Sequence, residues 1–390
     1  MARRDDNGTE GNGRRFSRRT VGGAGVVVFL ILLLIGYVVQ WFGTASTVRD
    51  QLDKWRESRN DAGWAVSYGE TGLHGFPFWV RLDVPDVSVA GPASANWRWE
   101  TDSLMLEVSP LHPRDVKAHL TGRHRVRLAN GASLTVDAGK ALAEVSVATW
   151  GRIKGLKLAA EKLAVEGPWG PGSISVEKAH LSADRKGDGK RPEDGGGGAL
   201  PPVSWTAELM ADNVGFPPHH ALPLGRRLKR LLLDVRARGP LKLTDSLRVN
   251  ARRFNKADGR VEVREMSVDW PPLRVDAGGR LWLDDGRQPR ARLTAQARGF
   301  FQALDTFAEA GLMPRDNVSV AKVVLGMLAR PGEGPGEGPV LSLPVVVEDS
   351  TLFVGPAELA RVPEIDWGGT RTGPVRPGVK VTPEGEVIQE

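Results

Sequence analysis

The side chains that could do chemistry in this chain are few and scattered. His219 and His220 are adjacent, so in extended chain they point to opposite faces and cannot easily bind one metal ion. Asp284 and Asp285 precede Gly286, an order typical of a turn rather than of an acid–base pair. The G-x-S-x-G, Walker A and H-E-x-x-H motifs do not occur in the sequence. We therefore predict no catalytic residues, no cofactor site and no metal site.

One dense basic cluster lies outside the N-terminal tail, and it consists of Arg226, Arg227, Lys229 and Arg230. These side chains could contact anionic lipid headgroups at a membrane surface, or they could simply be the solvated end of a strand. Nucleic-acid binding is not predicted. Six arginines and three acidic residues within the first 20 positions supply half of the formal net charge of +6, so the remaining chain is only weakly basic.

The element that would place the whole chain is the run Val21–Val39, nineteen residues without a formal charge. At about 1.5 Å per residue it spans roughly 28 Å, close to the hydrocarbon thickness of a bilayer. Arginines flank its N-terminal side at positions 14, 15, 18 and 19. By the positive-inside rule we expect residues 1–20 to form a cytoplasmic basic tail, 21–39 to be a transmembrane helix, and the bulk of the chain to lie outside.

A cleaved signal peptide is the alternative interpretation of this segment. Gly43-Thr44-Ala45 has the small side chains of a cleavage site. However, the apolar region of a signal peptide usually runs for about 7–15 residues, and this one is longer. The length therefore favours an uncleaved anchor. The chain contains no cysteine, which excludes a disulfide framework and thiol catalysis and suits an oxidising compartment.

Beyond the anchor, apolar and polar residues alternate in many short runs, a pattern that predicts β-strands. Asn130-Gly131 between two such runs predicts a type I′ hairpin, and a phase slip between Val263 and Met266 predicts a β-bulge. Helical spacing appears in 46–60, predicted as a short helix, and in 300–330, predicted as a helical hairpin. The fold class expected is mostly β (all-β or α+β), with extended antiparallel sheet after a single N-terminal helix.

Composition divides the extramembrane part into two modules. Residues 184–202 contain four consecutive glycines among charges and prolines, and they predict a flexible linker. The linker would join a first β-rich module, 46–183, to a second one, 203–367, that includes the helical hairpin. The Gly- and Pro-rich tail 368–390 is expected to be disordered.

Several phrases of the sequence carry a family likeness. GFPFWVRLDVP (75–85), WRWETDSLMLEVSPLHP (97–113), GRLWLDDGRQPRARLTAQARGF (279–300) and LSLPVVVEDSTLFVGPAELARVPEIDW (341–367) resemble the DUF2125 family, a domain of unknown function in proteobacterial membrane proteins. The likeness covers most of 60–367 and implies the bacterial inner membrane, with the bulk of the chain periplasmic. More distantly, the architecture is similar to AsmA-like envelope proteins, which implies a role in envelope integrity or in lipid movement between membranes.

These observations predict a non-enzymatic, bitopic inner-membrane protein whose periplasmic sheet binds or shuttles lipid or supports envelope assembly. A sheet with one apolar face could shield acyl chains. The residues expected to face lipid are Leu104, Leu106, Leu134, Val136, Leu281, Leu283 and Leu293. Two alternatives stay open at this point: a periplasmic hydrolase with a site assembled from distant residues, and a pure protein-interaction module. The expected partner is the membrane, with lipid as a candidate ligand, and protein partners are unknown.

Overall fold

A computed structural model describes residues 18–92, 96–148, 152–190, 200–219, 222–242, 247–311, 314–332, 338–355, 357–365, 380–381 and 387–388. The helices are α1 Arg18–Asp61, α2 Leu247–Lys256, α3 Phe300–Glu309 and α4 Arg315–Leu328. The strands of the main sheet are β1 Ala65–Ser67, β2 Gly72–His74, β3 Val80–Ala90, β4 Arg98–Ser109, β5 His112–His119, β6 Gly122–Arg127, β7 Ser133–Val147, β8 Ile153–Glu166, β9 Ile174–Arg185, β10 Val203–Gly215, β11 Arg227–Arg238, β12 Arg260–Trp270, β13 Leu273–Leu283, β14 Pro289–Arg298, β15 Leu341–Glu348, β16 Thr351–Val354 and β17 Ala357–Arg361.

The sheet is an antiparallel meander in which successive strands pair in chain order. From β7 to β17 each strand pairs with the next one along the chain. At the other end β1 and β2 both pair with β3, and β5 and β6 both lie between β4 and β7. The expectation of a mostly β protein with extended antiparallel sheet is therefore confirmed. Most connections in this sheet are short, whereas the β11–β12 connection contains α2 and the β14–β15 connection contains α3 and α4.

The first strands pack beneath the C-terminal half of α1. A cluster of buried residues there consists of Val66, Leu82, Val84, Val87 and Val89. Val48 and Leu52 of α1 pack against it. The helix ends close to Gly63, whose φ of 81° reverses the chain. The side chain of Asn60 then exchanges hydrogen bonds of 2.8 and 3.3 Å with the backbone of Val66, which ties the helix end to β1.

The helical predictions are confirmed near the C-terminus and corrected elsewhere. α3 and α4 contact each other and form the hairpin predicted for 300–330. Residues 46–60 are not a separate short helix, because they continue α1 without a break. Helix α2 was not predicted from the sequence. Its Phe254 packs against Gly239 and Gly259, glycines of other segments, so tertiary contacts place it.

Two turn predictions can be compared with the structure. The phase slip in β12 is a register shift against β13, between Val263 and Met266, as predicted. The hairpin between β6 and β7 also forms, but not through a type I′ turn. Gly131 has a positive φ of 82° and donates its N–H to the Leu128 carbonyl at 2.9 Å. The loop is closed by the Leu128 N–H, which donates to the Ala132 carbonyl at 2.8 Å. The longer loop needs a positive φ at one position rather than two.

The predicted linker 184–202 does not interrupt the sheet. β9 and β10, on either side of it, pair antiparallel from Trp205–Arg185 to Gly215–Ser175. Residues 191–199, the centre of the linker, lie outside the described residues. The division into two modules stays a prediction, and the sheet is continuous across their boundary.

Both ends of the chain lie largely outside the described residues. Residues 1–17 of the predicted cytoplasmic tail are not described, and neither is most of 366–390. Within the tail expected to be disordered, Lys380–Val381 (β18) and Val387–Ile388 (β19) pair as a small two-stranded sheet.

Candidate functional site

Register aligns apolar side chains across the whole meander. Residues directly opposite each other in antiparallel strands share a face of the sheet. One row crosses twelve strands and runs through Leu82, Leu106, Ala118, Ala143, Leu158, Leu181, Leu209, Leu233, Met266, Ala277, Ala295 and Leu343. The row two residues away runs through Val80, Val108, Val116, Val145, Leu156, Ala183, Ala207, Val235, Val263, Gly279, Leu293 and Val345. The sheet therefore has one continuous apolar face.

On the opposite face of the sheet, one row over the first strands carries alternating charges. A row between the two apolar ones passes through Arg81, Glu107, Lys117, Glu144 and Lys157. The Arg81 guanidinium lies 2.8 Å from the Glu107 carboxylate, and the Lys117 ammonium lies 3.8 Å from that of Glu144. Opposite charges directly across strands stabilise the pairing. This row is therefore charged, whereas the two rows that flank it on the other face are apolar.

In the middle of the sheet, the apolar face is shielded by its own neighbours. A buried cluster of three alanines, Ala138, Ala141 and Ala160, packs against residues of the same sheet, namely Leu120, Leu163 and Ala179. Ala160 is 5% exposed, whereas Ala159, the next residue and on the other face, is exposed. We call the apolar face the inner face of the sheet.

We call the central part of this inner face the trough. It is lined by leucines that are half-buried, neither covered nor fully exposed: Leu156, Leu158, Leu181, Leu209, Leu231 and Leu233. Strands β8 to β11 supply all six. By contrast, Leu82 in the same cross-strand row is completely buried beneath α1. The helices near the C-terminus contact the far part of the sheet, α2 and α3 at β13 and α4 at β15.

A crease runs along the trough. The alanines Ala141, Ala160, Ala179 and Ala211 form one cross-strand row. The next apolar row runs through Ala138, Leu163, Val176, Val214 and Leu228. It lies three residues along the strands from the alanine row, and strict alternation would put residues three apart on opposite faces of the sheet. Lys162 and Asn213, between the two rows, have positive φ values of 54° and 51°. These residues turn the backbone so that both rows face inward, and the alanines leave room for the bend.

The structure places all seven residues predicted to face lipid on the apolar face. Leu104 and Leu106 pack against the cluster beneath α1, so they line its covered edge rather than the trough. Leu134 and Val136 lie on β7 beyond the crease, and Leu281, Leu283 and Leu293 lie on β13 and β14. Contact of these side chains with lipid stays a prediction.

The leucines of the trough were not among the predicted site residues. The sequence does show alternating apolar pairs on this strand, Leu156/Leu158 and Leu163/Val165, and an odd number of residues separates the two pairs. Sequence alone does not show that these short runs lie side by side, because strand register is a long-range property.

The basic cluster lies around the start of β11. Arg230 donates to the Asp212 carboxylate at 2.8 Å, and this hydrogen bond raises the pKa of Arg230 above its ordinary value. Lys229 lies 3.6 Å from Asp269. Arg226 and Arg227 are exposed. A role in binding lipid headgroups stays a prediction for this cluster, and the proposals below do not use it.

Within the described part of the chain, no three His, Asp or Glu side chains are grouped so that they could hold a metal ion. His219 contacts the Trp169 carbonyl, with its Nε2 at 2.8 Å, while His220 lies outside the described residues. Asp284 occupies a turn, where its carboxylate accepts a hydrogen bond from the Gln288 N–H at 2.8 Å. That contact is the turn role predicted for Asp284-Asp285.

Comparison with known proteins identifies a family. Searches of curated proteins and of solved structures found no match, and the likeness to AsmA-like envelope proteins is therefore not shown. The model of one bacterial family matches residues 41–363, from the buried Trp41 of α1 to two residues past the end of β17. Since that range is most of the chain, the protein belongs to the family of uncharacterized proteins conserved in bacteria, DUF2125.

Proposed function

We propose that this protein is a membrane-anchored lipid-binding protein, without enzymatic activity, that holds acyl chains in the trough. The observation that supports the proposal is the continuous apolar face, half-exposed over β8–β11 and backed by a charged outer face. Acyl chains are long, flexible and apolar, and they need no specific polar contacts along their length. A trough of leucines without convergent polar groups suits that kind of ligand.

The proposal includes a single-pass anchor in the bacterial inner membrane, with the sheet in the periplasm. Among the described residues, the helical stretch Phe29–Asp61 is long and apolar enough to cross a membrane. A signal sequence would pass the same test, but the packing supports retention of the helix. Trp41 and Ala45 are 4% and 2% exposed and form a buried cluster with Val80 of β3. Cleavage at Gly43–Ala45 would remove part of the core.

The function that follows is to shield lipid between the membrane and another site in the envelope, either during transport or during assembly. The likeness of the architecture to AsmA-like envelope proteins, noted from the sequence, would imply the same kind of role. The trough itself supplies the shielding, because an acyl chain lying on it would exchange water for leucine side chains.

The experiment uses the absence of native cysteine. A single cysteine at Leu181→Cys, labelled with a benzophenone maleimide, is photoactivated in native membranes. The matched control is Ser182→Cys, the next residue on the same strand but on the polar face. Mass spectrometry of the purified full-length chain then identifies adducts. Phospholipid adducts at position 181 and none at 182 support the proposal, whereas equal adducts at both positions, or none at 181, contradict it.

A second function is favoured by one observation, the exposed apolar stripe of α4. Val320, Val323, Val324, Met327 and Leu328 are between 49% and 81% exposed and recur at helical spacing. Such a stripe is typical of a helix that packs against a protein partner, so an interaction module in an envelope complex is the alternative function. Crosslinking from Met327→Cys to a single protein, with Leu181→Cys giving no lipid, would favour it.

A further inference from the structure

Two loops of the sheet are fastened to α1 where its apolar run ends. Tyr37 donates its phenolic O–H to the Pro77 carbonyl, in the loop between β2 and β3. Trp41 donates its indole N–H to the Trp79 carbonyl at 2.9 Å. Gln40 contacts the carbonyl of Pro110, in the loop between β4 and β5, at 3.5 Å. Both loops are therefore held at the level of residues 37–41 of the helix.

The same two loops expose large apolar side chains. Phe76 is 52% exposed, Phe78 is 73% exposed and Leu111 is 71% exposed. Phe42 of α1, beside them, is 61% exposed and packs edge-on against Trp41. We call these four residues the apolar foot. The loops themselves are well fixed, because Trp41 packs edge-to-face against Phe76 and because Val80, the first residue of β3, is completely buried. The exposure is thus a property of an ordered surface.

We propose that the apolar foot inserts into the outer leaflet of the membrane that α1 spans. This inference rests on the anchor included in the proposed function. The foot is continuous with the lipid-facing surface of α1, where Phe29 to Ile35 are 50–60% exposed. Aromatic side chains favour the interface between hydrocarbon and headgroups, which is the depth expected just past the end of an apolar helix.

Charges around the foot fit this partner. The Lys117 ammonium lies 5.7 Å from the centre of the Trp79 ring, and Arg114 is exposed on the same strand, β5. Cations placed just above an inserted aromatic ring can contact lipid phosphates. A bilayer therefore matches both parts of the surface, apolar at its tip and basic above it.

Insertion of the foot would fix the sheet relative to the membrane. The row that begins at Val80 continues through Val108, Val116, Val145 and Leu156, so the inner apolar face starts directly above the leaflet. A lipid could then pass from the leaflet to the trough without its acyl chains crossing open water. The foot is thus the entry end of the trough.

The test measures depth with single cysteines in the otherwise cysteine-free full-length chain. Phe78→Cys and Leu111→Cys, in different loops, are each labelled with the fluorophore NBD and placed in phospholipid nanodiscs with or without doxyl-labelled acyl chains. Ile31→Cys, in the apolar run, is the reference for the anchor. Leu128→Cys is the control for an exposed apolar residue, because it is 37% exposed in the β6–β7 loop at the other end of the strands.

We expect doxyl lipid to quench NBD at positions 31, 78 and 111 and to leave position 128 bright. Quenching at Ile31 with Phe78 and Leu111 as bright as Leu128 would overturn insertion of the foot and leave the anchor intact. A bright probe at Ile31 would instead overturn the anchor, and with it the proposed function. Because Phe78 and Leu111 make few contacts within the protein, their substitution should preserve the fold, and thermal unfolding that matches the parent confirms this for each variant.

Discussion

The difference between a covered and an uncovered apolar face can be measured within one cross-strand row. Leu82 and Leu181 belong to the same row, but Leu82 is completely buried beneath α1, while Leu181 is half-buried in the trough. We predict that Leu82→Ala destabilises the protein much more than Leu181→Ala does. Both changes remove the same atoms from the same kind of strand position, so the difference reports what lies above each side chain.

The magnitudes follow from burial. Removing a fully packed leucine to alanine costs about 2–5 kcal/mol, because the loss of transfer free energy is increased by the cavity that remains. At Leu181 the side chain already contacts solvent, so the change leaves no closed cavity and loses only part of the transfer term, about 1 kcal/mol. We therefore expect Leu82→Ala to cost on the order of 2 kcal/mol more free energy of unfolding than Leu181→Ala.

The assay is urea unfolding of the full-length chain, followed by far-UV circular dichroism. A fluorinated surfactant solubilises the anchor, since such surfactants mix poorly with hydrocarbon and should leave the trough unfilled. Comparable m values for the two variants would show that the unfolding reactions are comparable. If Leu181→Ala loses as much stability as Leu82→Ala, the middle of the apolar face is covered as tightly as its edge, and the argument for an open trough fails.

Three further predictions test local features of the fold. Gly299→Ala should destabilise the protein far more than Gly311→Ala. Both glycines have positive φ (72° and 71°), but a Cβ at Gly299 would lie 1.9 Å from a carbonyl oxygen of the β12–β13 turn, whereas Gly311 has open space. Thermal unfolding should show a cost of about 1–2 kcal/mol for Gly311→Ala and a larger cost for Gly299→Ala. Burial and a hydrogen bond to a carboxylate on α1 raise the pKa of Tyr68 from 10.0 to about 12. The contribution of the protonated Tyr68 to stability is therefore fully present below pH 10 and is lost as the pH rises towards 12. In urea titrations, the free energy of unfolding of Tyr68→Phe should fall less than that of the parent over this pH range. Arg292 lies directly opposite Arg280, so Arg292→Glu should stabilise the protein by about 0.2–1 kcal/mol at low ionic strength. This gain should disappear in 1 M salt, and a gain that does not depend on salt would contradict the reasoning.

Local pattern predicted the elements of this fold well, because alternation and turn residues act over a few positions. The helical hairpin and the bulge between Val263 and Met266 followed from spacing alone. Helix α2 did not follow from spacing, since ten residues with a basic C-terminal turn carry little helical signal. Its Phe254 packs against Gly239, at the end of β11, and against Gly259, in the turn after the helix. The continuity of α1 was missed for a related reason. The Gly43–Ser46 segment is a weak helix former by itself, but Ala45 is held against Val80 of β3.

The candidate site was only partly accessible from the sequence. The individual strands showed which residues were apolar, and the seven predicted residues do lie on the inner face. The sequences of the individual strands do not show the register between strands. It is the register that places Leu158 directly opposite Leu181 rather than one residue away from it. The crease was hidden for the same reason. Two apolar residues three apart, such as Ala160 and Leu163, indicate opposite faces until a positive φ at Lys162 turns the chain between them.

An inner apolar face of this length has an energetic consequence. Globular folds bury the apolar face of a sheet beneath a second layer. Among the described residues, the main helix contacts with this sheet are those of α1 with β1 and β3, of α2 and α3 with β13, and of α4 with β15. A half-exposed face left uncovered in water promotes association. On the function proposed above, a lipid that binds and leaves would cover these leucines. Insertion of the apolar foot would then place the acyl chains of the adjacent leaflet at the end of the sheet where the inner face begins.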